Sequence, residues 1–128
     1  MKKTVVKACL LVAAILVAAP VKAKRLHEEK WYQDQWCARQ RGQVEVVLAD
    51  RTRCDCLTST NAVEFDFGAK WAEAIGQALY YSLQTGKRAG VVLILEAPAD
   101  RKYWLRLNSI IEHGNLPIDT WAIGNGVR

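Results

Sequence analysis

The strongest constraint on the fold is a strand–helix–strand pattern. Residues 62–67 alternate between apolar and polar side chains, which is typical of a strand with two different faces. Residues 69–85 then place apolar side chains at helical spacing, and Gly86 ends that helix. Residues 91–95 are a continuous apolar run of strand length, which indicates a strand buried on both faces. The pattern therefore predicts the α/β class.

The flanking segments extend this pattern into one small domain. Large apolar side chains recur at helical spacing over residues 25–40, and two short segments rich in β-branched or alternating residues follow. Together with residues 62–67 they predict a meander of three strands. A further helix and a last strand complete the order α-β-β-β-α-β-α-β around a central mixed sheet; the additional predicted segments are residues 44–48, 52–58, 99–112 and 117–123.

Residues 1–23 have the composition of a secretory signal. Lysines come first, residues 8–19 are apolar, and small residues precede a cleavage position after Ala23. We therefore expect a Sec-type signal and a periplasmic or secreted bacterial protein, with residues 24–128 as the mature domain. The apolar run is too short to span a membrane comfortably, so a cleaved signal is favoured and no membrane association is expected after cleavage. The alternative is an uncleaved N-terminal anchor.

The basic charge of the chain comes largely from this leader. The full sequence has 18 Lys and Arg against 13 Asp and Glu, and four of the lysines lie in residues 1–23, so the mature net charge is about +1. Charge alone therefore gives no argument for a nucleic-acid partner.

Three cysteines remain in the mature domain. Cys54 and Cys56 are two apart on a predicted strand, which places them on one face and makes a bond between them unfavourable. We expect Cys37 to pair with one of them in an oxidising compartment. The alternative is a zinc site that combines these thiols with His27 or His113.

Three acids and a helix stripe suggest a metal site. Asp55 lies on the second predicted strand, and Glu64 and Asp66 share a face of the third. Carboxylates placed together favour a hard cation such as Mg²⁺ or Mn²⁺. The following helix carries a polar stripe that can face the same acids, formed by Lys70, Gln77 and Tyr81. The alternative is that these are ordinary solvated residues of an outer sheet face.

An Asp on one strand, a Glu on the next and Gln-x-x-x-Tyr on the following helix resemble the PD-(D/E)XK nuclease superfamily, specifically its RecB and lambda-exonuclease-like branch. The resemblance covers roughly residues 42–95 and implies a restriction-endonuclease-like fold. It also implies that Asp55 and Glu64 bind metal and that Gln77 and Tyr81 form the helix motif. For the upstream acid of that branch, the sequence offers Glu45 or Glu28.

One position departs from the family pattern. The motif lysine, which helps to orient water and to stabilise charge on phosphate, is replaced by Asp66. Lys70 lies in the first turn of the helix and has a long flexible stem, so it can take over this task. The alternative is a site that has lost its activity.

Three functions remain as hypotheses. The first is metal-dependent phosphodiester hydrolysis of DNA or RNA, with no small-molecule cofactor. The second is a catalytically inactive exported binding module that keeps the nuclease-like fold. The third is a disulfide-stabilised structural protein of the cell envelope.

Overall fold

The computed structural model describes residues 24–128, so the predicted signal in residues 1–23 lies outside the described part. The order α-β-β-β-α-β-α-β is confirmed, with short 3₁₀ turns between some elements. The main elements are α1 (Glu29–Arg39), β1 (Gln43–Val47), β2 (Arg53–Leu57), β3 (Asn61–Phe67), α2 (Trp71–Thr85), β4 (Arg88–Ile94), α3 (Arg101–His113) and β5 (Ile118–Ile123). No helix of residues 24–128 is long and apolar enough to cross a membrane.

The five strands form one mixed sheet in the order β1-β2-β3-β4-β5. β1, β2 and β3 are antiparallel neighbours, which confirms the predicted meander. β3, β4 and β5 are parallel, and β4 pairs with β3 from Asn61↔Arg88 to Phe67↔Ile94. The predicted α/β class and mixed sheet are therefore confirmed, although β4 begins three residues before the apolar run because Arg88, Ala89 and Gly90 also pair.

Helices cover both faces of the sheet. On one face, α2 and α3 pack against the odd-numbered side chains of β4 in a cluster that includes Ala74, Ala78, Val91, Leu93 and Leu107. On the other face, α1 packs against a cluster that includes Trp36, Val63, Phe65 and Val92, with Trp121 beside it. Every residue of β3 is buried, so its acids are not on a solvated face.

The disulfide joins α1 to β2 through Cys37 and Cys56, as one of the two predicted pairings. A Cβ atom at Gly42 would lie 2.7 Å from the Cys56 sulfur, so the chain needs glycine where it passes the bond. Cys54 is buried and free. It packs with Ala62 on the α2 side, whereas Cys56 packs on the α1 side, so the expectation that both thiols share one face is wrong. The disulfide is compatible with an oxidising compartment.

Candidate metal centre

β2 and β3 separate at the point where their acids lie. Regular pairing between them covers Cys56↔Val63 and Leu57↔Ala62, while β3 continues to Phe67. Beyond the paired residues, the Asp55 side chain takes the place of a strand partner: its Oδ2 atom accepts a hydrogen bond of 2.8 Å from the Phe65 N–H. We call this separation of the two strands the β2–β3 fork. The hydrogen bond from the Phe65 N–H fixes one carboxylate oxygen of Asp55 beside β3.

The carboxyl groups of Asp55 and Glu64 meet inside this fork. Burial and the charge of Asp55 raise the pKa of Glu64 to about 10, and burial raises the pKa of Asp55 as well. The two groups lie close enough to share a proton, but the buried Oε2 atom of Glu64 has no hydrogen-bond partner among residues 24–128. Without a cation, Glu64 is therefore protonated at neutral pH, and one of its oxygens is unsatisfied.

Asp66 extends the acidic group along β3, and the ammonium group of Lys70 lies near it. Its side chain is buried, and burial raises its pKa to about 6, while the charge of Lys70 lowers it and that of Glu73 raises it. Lys70 is exposed at the start of α2 and forms no ion pair within residues 24–128. Its ammonium group thus acts on Asp66 through space.

Glu29 is a fourth acid of the group that the sequence analysis did not identify. It lies in the first turn of α1, and burial together with the charges of Asp55 and Asp66 raises its pKa to about 7, while Lys70 lowers it. The helical period carried a usable signal, because Glu29 precedes the buried Trp36 and Cys37 by seven and eight residues. Glu28, the residue proposed from the sequence, is exposed at the N-cap of α1.

Glu45 is near Asp55 but already has partners. Its Oε1 atom accepts a hydrogen bond of 2.9 Å from Gln33 Nε2, and its Oε2 atom lies 3.3 Å from the Arg53 guanidinium. Buried Gln33 also donates to the backbone oxygen of Asp55 at 2.6 Å, so it connects α1 to β1 and β2. Glu45 therefore supports the position of Asp55 through Gln33, and its role as a metal ligand stays a prediction.

The predicted helix motif, Gln77 and Tyr81, lies on α2, which packs on the opposite face of the sheet from α1. Tyr81 is buried against Cys54 and Ala62, and burial and the charges of Glu64 and Asp55 raise its pKa above the ordinary value. Its hydroxyl donates a long hydrogen bond of 3.4 Å to the Oε1 atom of the exposed Gln77. Tyr81 is thus close enough on α2 to be affected by the charges of Glu64 and Asp55, whereas Gln77 is exposed to solvent.

The donors present fit a hard cation only in part. Asp55 and Glu64 offer carboxylate oxygens, one of them buried without a partner, and Mg²⁺ is commonly held by one or two carboxylates with water and substrate phosphate. However, no group of three or more His, Cys, Asp and Glu side chains within residues 24–128 is arranged to hold a metal ion as it stands. The fit is therefore to a site of two protein ligands.

Comparisons of the chain with protein-family models, with curated proteins and with solved structures found no match. The resemblance to the PD-(D/E)XK superfamily therefore rests only on the motif residues of this chain and remains a proposal. Support for a function comes instead from the geometry of the acids at the β2–β3 fork.

Proposed function

We propose that this protein is a metal-dependent phosphodiester hydrolase that acts on DNA or RNA and belongs to the PD-(D/E)XK nuclease superfamily. The observation that supports this most is the burial of Asp55 and Glu64 together at the β2–β3 fork, with the Glu64 Oε2 atom lacking a partner among residues 24–128. Burying two carboxyl groups side by side is unfavourable for folding unless a cation compensates it. Such an arrangement is typical of a functional site.

Asp55 and Glu64 would hold Mg²⁺ or Mn²⁺, with Asp66 and Glu29 contributing negative charge around it. When bound, such an ion supplies charge stabilisation at phosphate oxygens and lowers the pKa of a coordinated water. The chain itself positions the ligands: the Phe65 N–H fixes one Asp55 oxygen, and Gln33 holds the strand that carries it.

Lys70 would take the part of the missing motif lysine. Its charge already lowers the pKa of Asp66 and of Glu29, so the ammonium group faces the acidic group from the start of α2. Because it is exposed and unpaired within the described part of the chain, its flexible stem is free to reach a phosphate oxygen. Gln77 would orient phosphate or water at the open side.

Cleavage of nucleic acid by the purified domain tests this function. We expect the wild-type protein to cut DNA or RNA with Mg²⁺ or Mn²⁺, and Asp55→Asn to lose at least about 10²-fold in rate, the cost typical of removing a group that stabilises transition-state charge. Asn keeps an oxygen for the Phe65 N–H, so the fork should stay folded. Lys70→Ala should lower the rate with only a small change in melting temperature, since Lys70 is exposed, makes no ion pair within residues 24–128 and acts on Asp66 and Glu29 only through space.

The matched control is Asp34→Asn, which removes an exposed carboxylate of α1 paired with Lys30. It should cut as the wild type does. Absence of metal-dependent cutting by the wild type, or cutting by Asp55→Asn at the wild-type rate, would contradict the proposed activity.

The second candidate is an inactive exported binding module. It is favoured by Asp66 at the motif-lysine position and by the absence, within residues 24–128, of three ligands arranged for a metal. An inactive module that binds no metal would cut nothing, and added Mn²⁺ would not raise its melting temperature. Export in either case is proposed from the composition of residues 1–23 and is compatible with the disulfide.

A further inference from the structure

A polar cavity lies on the other side of α1 from the acids. It has a volume of about 290 Å³ and is lined from α1 by Trp31, Gln35 and Arg39, and from the chain end after β5 by Asn125 and Arg128. Glu29 and Trp31 are two residues apart, so they lie on nearly opposite sides of a helix that is about 10–12 Å across. The cavity is thus separate from the candidate metal centre but within reach of the same extended ligand.

Trp31 forms a fixed aromatic surface in this cavity. The His27 ring stacks on it at 3.7 Å with an interplanar angle of 13°, and the Tyr32 ring meets its edge at 4.9 Å. Tyr32 is itself held by a hydrogen bond of 2.8 Å from its hydroxyl to Glu96. Even so, 46% of Trp31 is exposed, which leaves ring surface for a ligand at little entropic cost.

Two guanidinium groups accompany this ring. Arg39 and Arg128 both line the cavity, both are exposed, and neither forms an ion pair with an acid of residues 24–128. A planar ring beside unpaired arginines is the combination that single-stranded nucleic acids use, because every base has a face for stacking and every nucleotide a phosphate for a cation. A duplex keeps its bases stacked inside and cannot use the ring in this way.

We propose that this cavity binds a base and a neighbouring phosphate of single-stranded nucleic acid, with the base stacked on Trp31. The inference rests on the proposed function, since it places the strand that the metal centre would cut. The strand would pass over α1, and Arg39 and Arg128 would hold its phosphate. The substrate class is therefore nucleic acid with a single-stranded segment next to the cleavage position.

Fluorescence anisotropy of a labelled thymidine 15-mer, measured in EDTA to prevent metal-dependent cutting, tests this inference. We expect Trp31→Ala to weaken binding about tenfold and Trp31→Phe to retain most of the affinity, because Phe keeps a ring for stacking. Arg39→Ala should reduce the slope of log K against log[salt] by about 0.7, the value for one phosphate contact in a single strand. The control Arg101→Ala removes an exposed arginine of α3 outside the cavity and should leave both affinity and slope unchanged.

Four results would overturn the inference: no binding of the 15-mer by the wild type, equal affinity of Trp31→Ala and the wild type, equal losses in Arg39→Ala and Arg101→Ala, or displacement of the 15-mer by an equimolar mononucleotide. The proposed activity fails separately. A protein that cuts nucleic acid but binds the 15-mer without Trp31 loses this inference alone, and a protein that binds through Trp31 but never cuts loses the hydrolase alone.

Discussion

At the scale of single residues, Glu64 is an acid whose charged form is disfavoured by burial and by neighbouring acids. Its carboxyl group is buried, its Oε2 atom has no partner among the described residues, and three other acids act on it, namely Asp55, Asp66 and Glu29. The pKa of about 10 in the folded protein lies far above the ordinary value of 4.5. The stability that protonated Glu64 contributes is therefore fully present below pH 4.5. It falls as the pH rises above 4.5 and is lost once the pH has risen through about 10.

Replacing Glu64 by Gln should stabilise the metal-free protein at alkaline pH. Gln resembles the protonated carboxyl group in shape but cannot titrate, so the pH-dependent loss disappears. In EDTA we expect equal melting temperatures for Glu64→Gln and the wild type near pH 4.5, and a Tm higher for the variant by at least about 4 °C at pH 8, which corresponds to about 1 kcal/mol in a domain of this size. Thermal unfolding followed by circular dichroism measures both.

Glu112→Gln is the matched control, since it makes the same change at an exposed position of α3. Its Tm should follow that of the wild type at both pH values. A Glu64→Gln variant whose Tm difference from the wild type stays constant between pH 4.5 and pH 8 would show that Glu64 does not titrate in the folded protein as described.

Single residues also show where sequence reasoning succeeds and where it stops. Alternation alone assigns Glu64 and Asp66 to one face of a strand, and they share that face, since they pair with Val91 and Leu93 on one face of β4. Glu29 was missed because its neighbour Glu28 has the same charge, and only the phase of α1 relative to Trp36 and Cys37 distinguishes them. Gln33 was missed because the sequence does not indicate that an amide will bridge to a backbone oxygen 22 residues away.

At the scale of elements, the position of α1 determines the environment of the acids. The helix brings Glu29 to the fork and Gln33 to β1 and β2, and one covalent bond, Cys37–Cys56, attaches it to β2. Aromatic packing, including Trp36 against Phe65 at 5.5 Å, and the hydrogen bond from the Tyr32 hydroxyl to Glu96 also attach the helix. The sequence alone leaves Cys54 and Cys56 as two possible partners of Cys37. The separation of β2 from β3 gives these two cysteines different neighbours, and the residue alternation does not reveal that separation.

Reduction of the disulfide should therefore destabilise the domain and loosen α1. The two cysteines are 19 residues apart, and closing a loop of that length contributes about 3 kcal/mol in the chain-entropy model. We expect dithiothreitol to lower the free energy of unfolding in urea by about this amount, and the double variant Cys37→Ala/Cys56→Ala to be as unstable with or without it.

Cys54→Ala separates this effect from the loss of any buried thiol. Cys54 is free and buried in a different cluster, so the variant should lose some packing energy yet keep the full sensitivity to dithiothreitol. If dithiothreitol left the stability of the wild type unchanged, the disulfide would not contribute to holding α1 on the sheet.

At the scale of the whole molecule, the sheet order arises from local patterns, whereas the site depends on where that order is interrupted. The buried run in β4, the alternation in β3 and the helical spacing in α2 are all local, and they are sufficient for the α/β class and the element order. The fork between β2 and β3 is a departure from regular pairing that these local patterns do not predict. The acids were therefore predictable as neighbours, but their burial and the raised pKa of Glu64 were not.

If the fork exists to hold a cation, metal binding should stabilise the whole domain. A cation that binds only the folded state adds RT ln(1+[L]/Kd), which is about 2.7 kcal/mol at a hundredfold excess over Kd. We therefore expect Mn²⁺ to raise the Tm of the wild type progressively, and more at pH 8 than at pH 6, because the Glu64 carboxyl must lose its proton to become a ligand. Asp34→Asn should respond as the wild type does, whereas Asp55→Asn and Glu64→Gln should respond weakly. A Tm that is the same with and without Mn²⁺ at pH 8 would favour the inactive binding module, whose acids would then be retained for reasons other than metal binding.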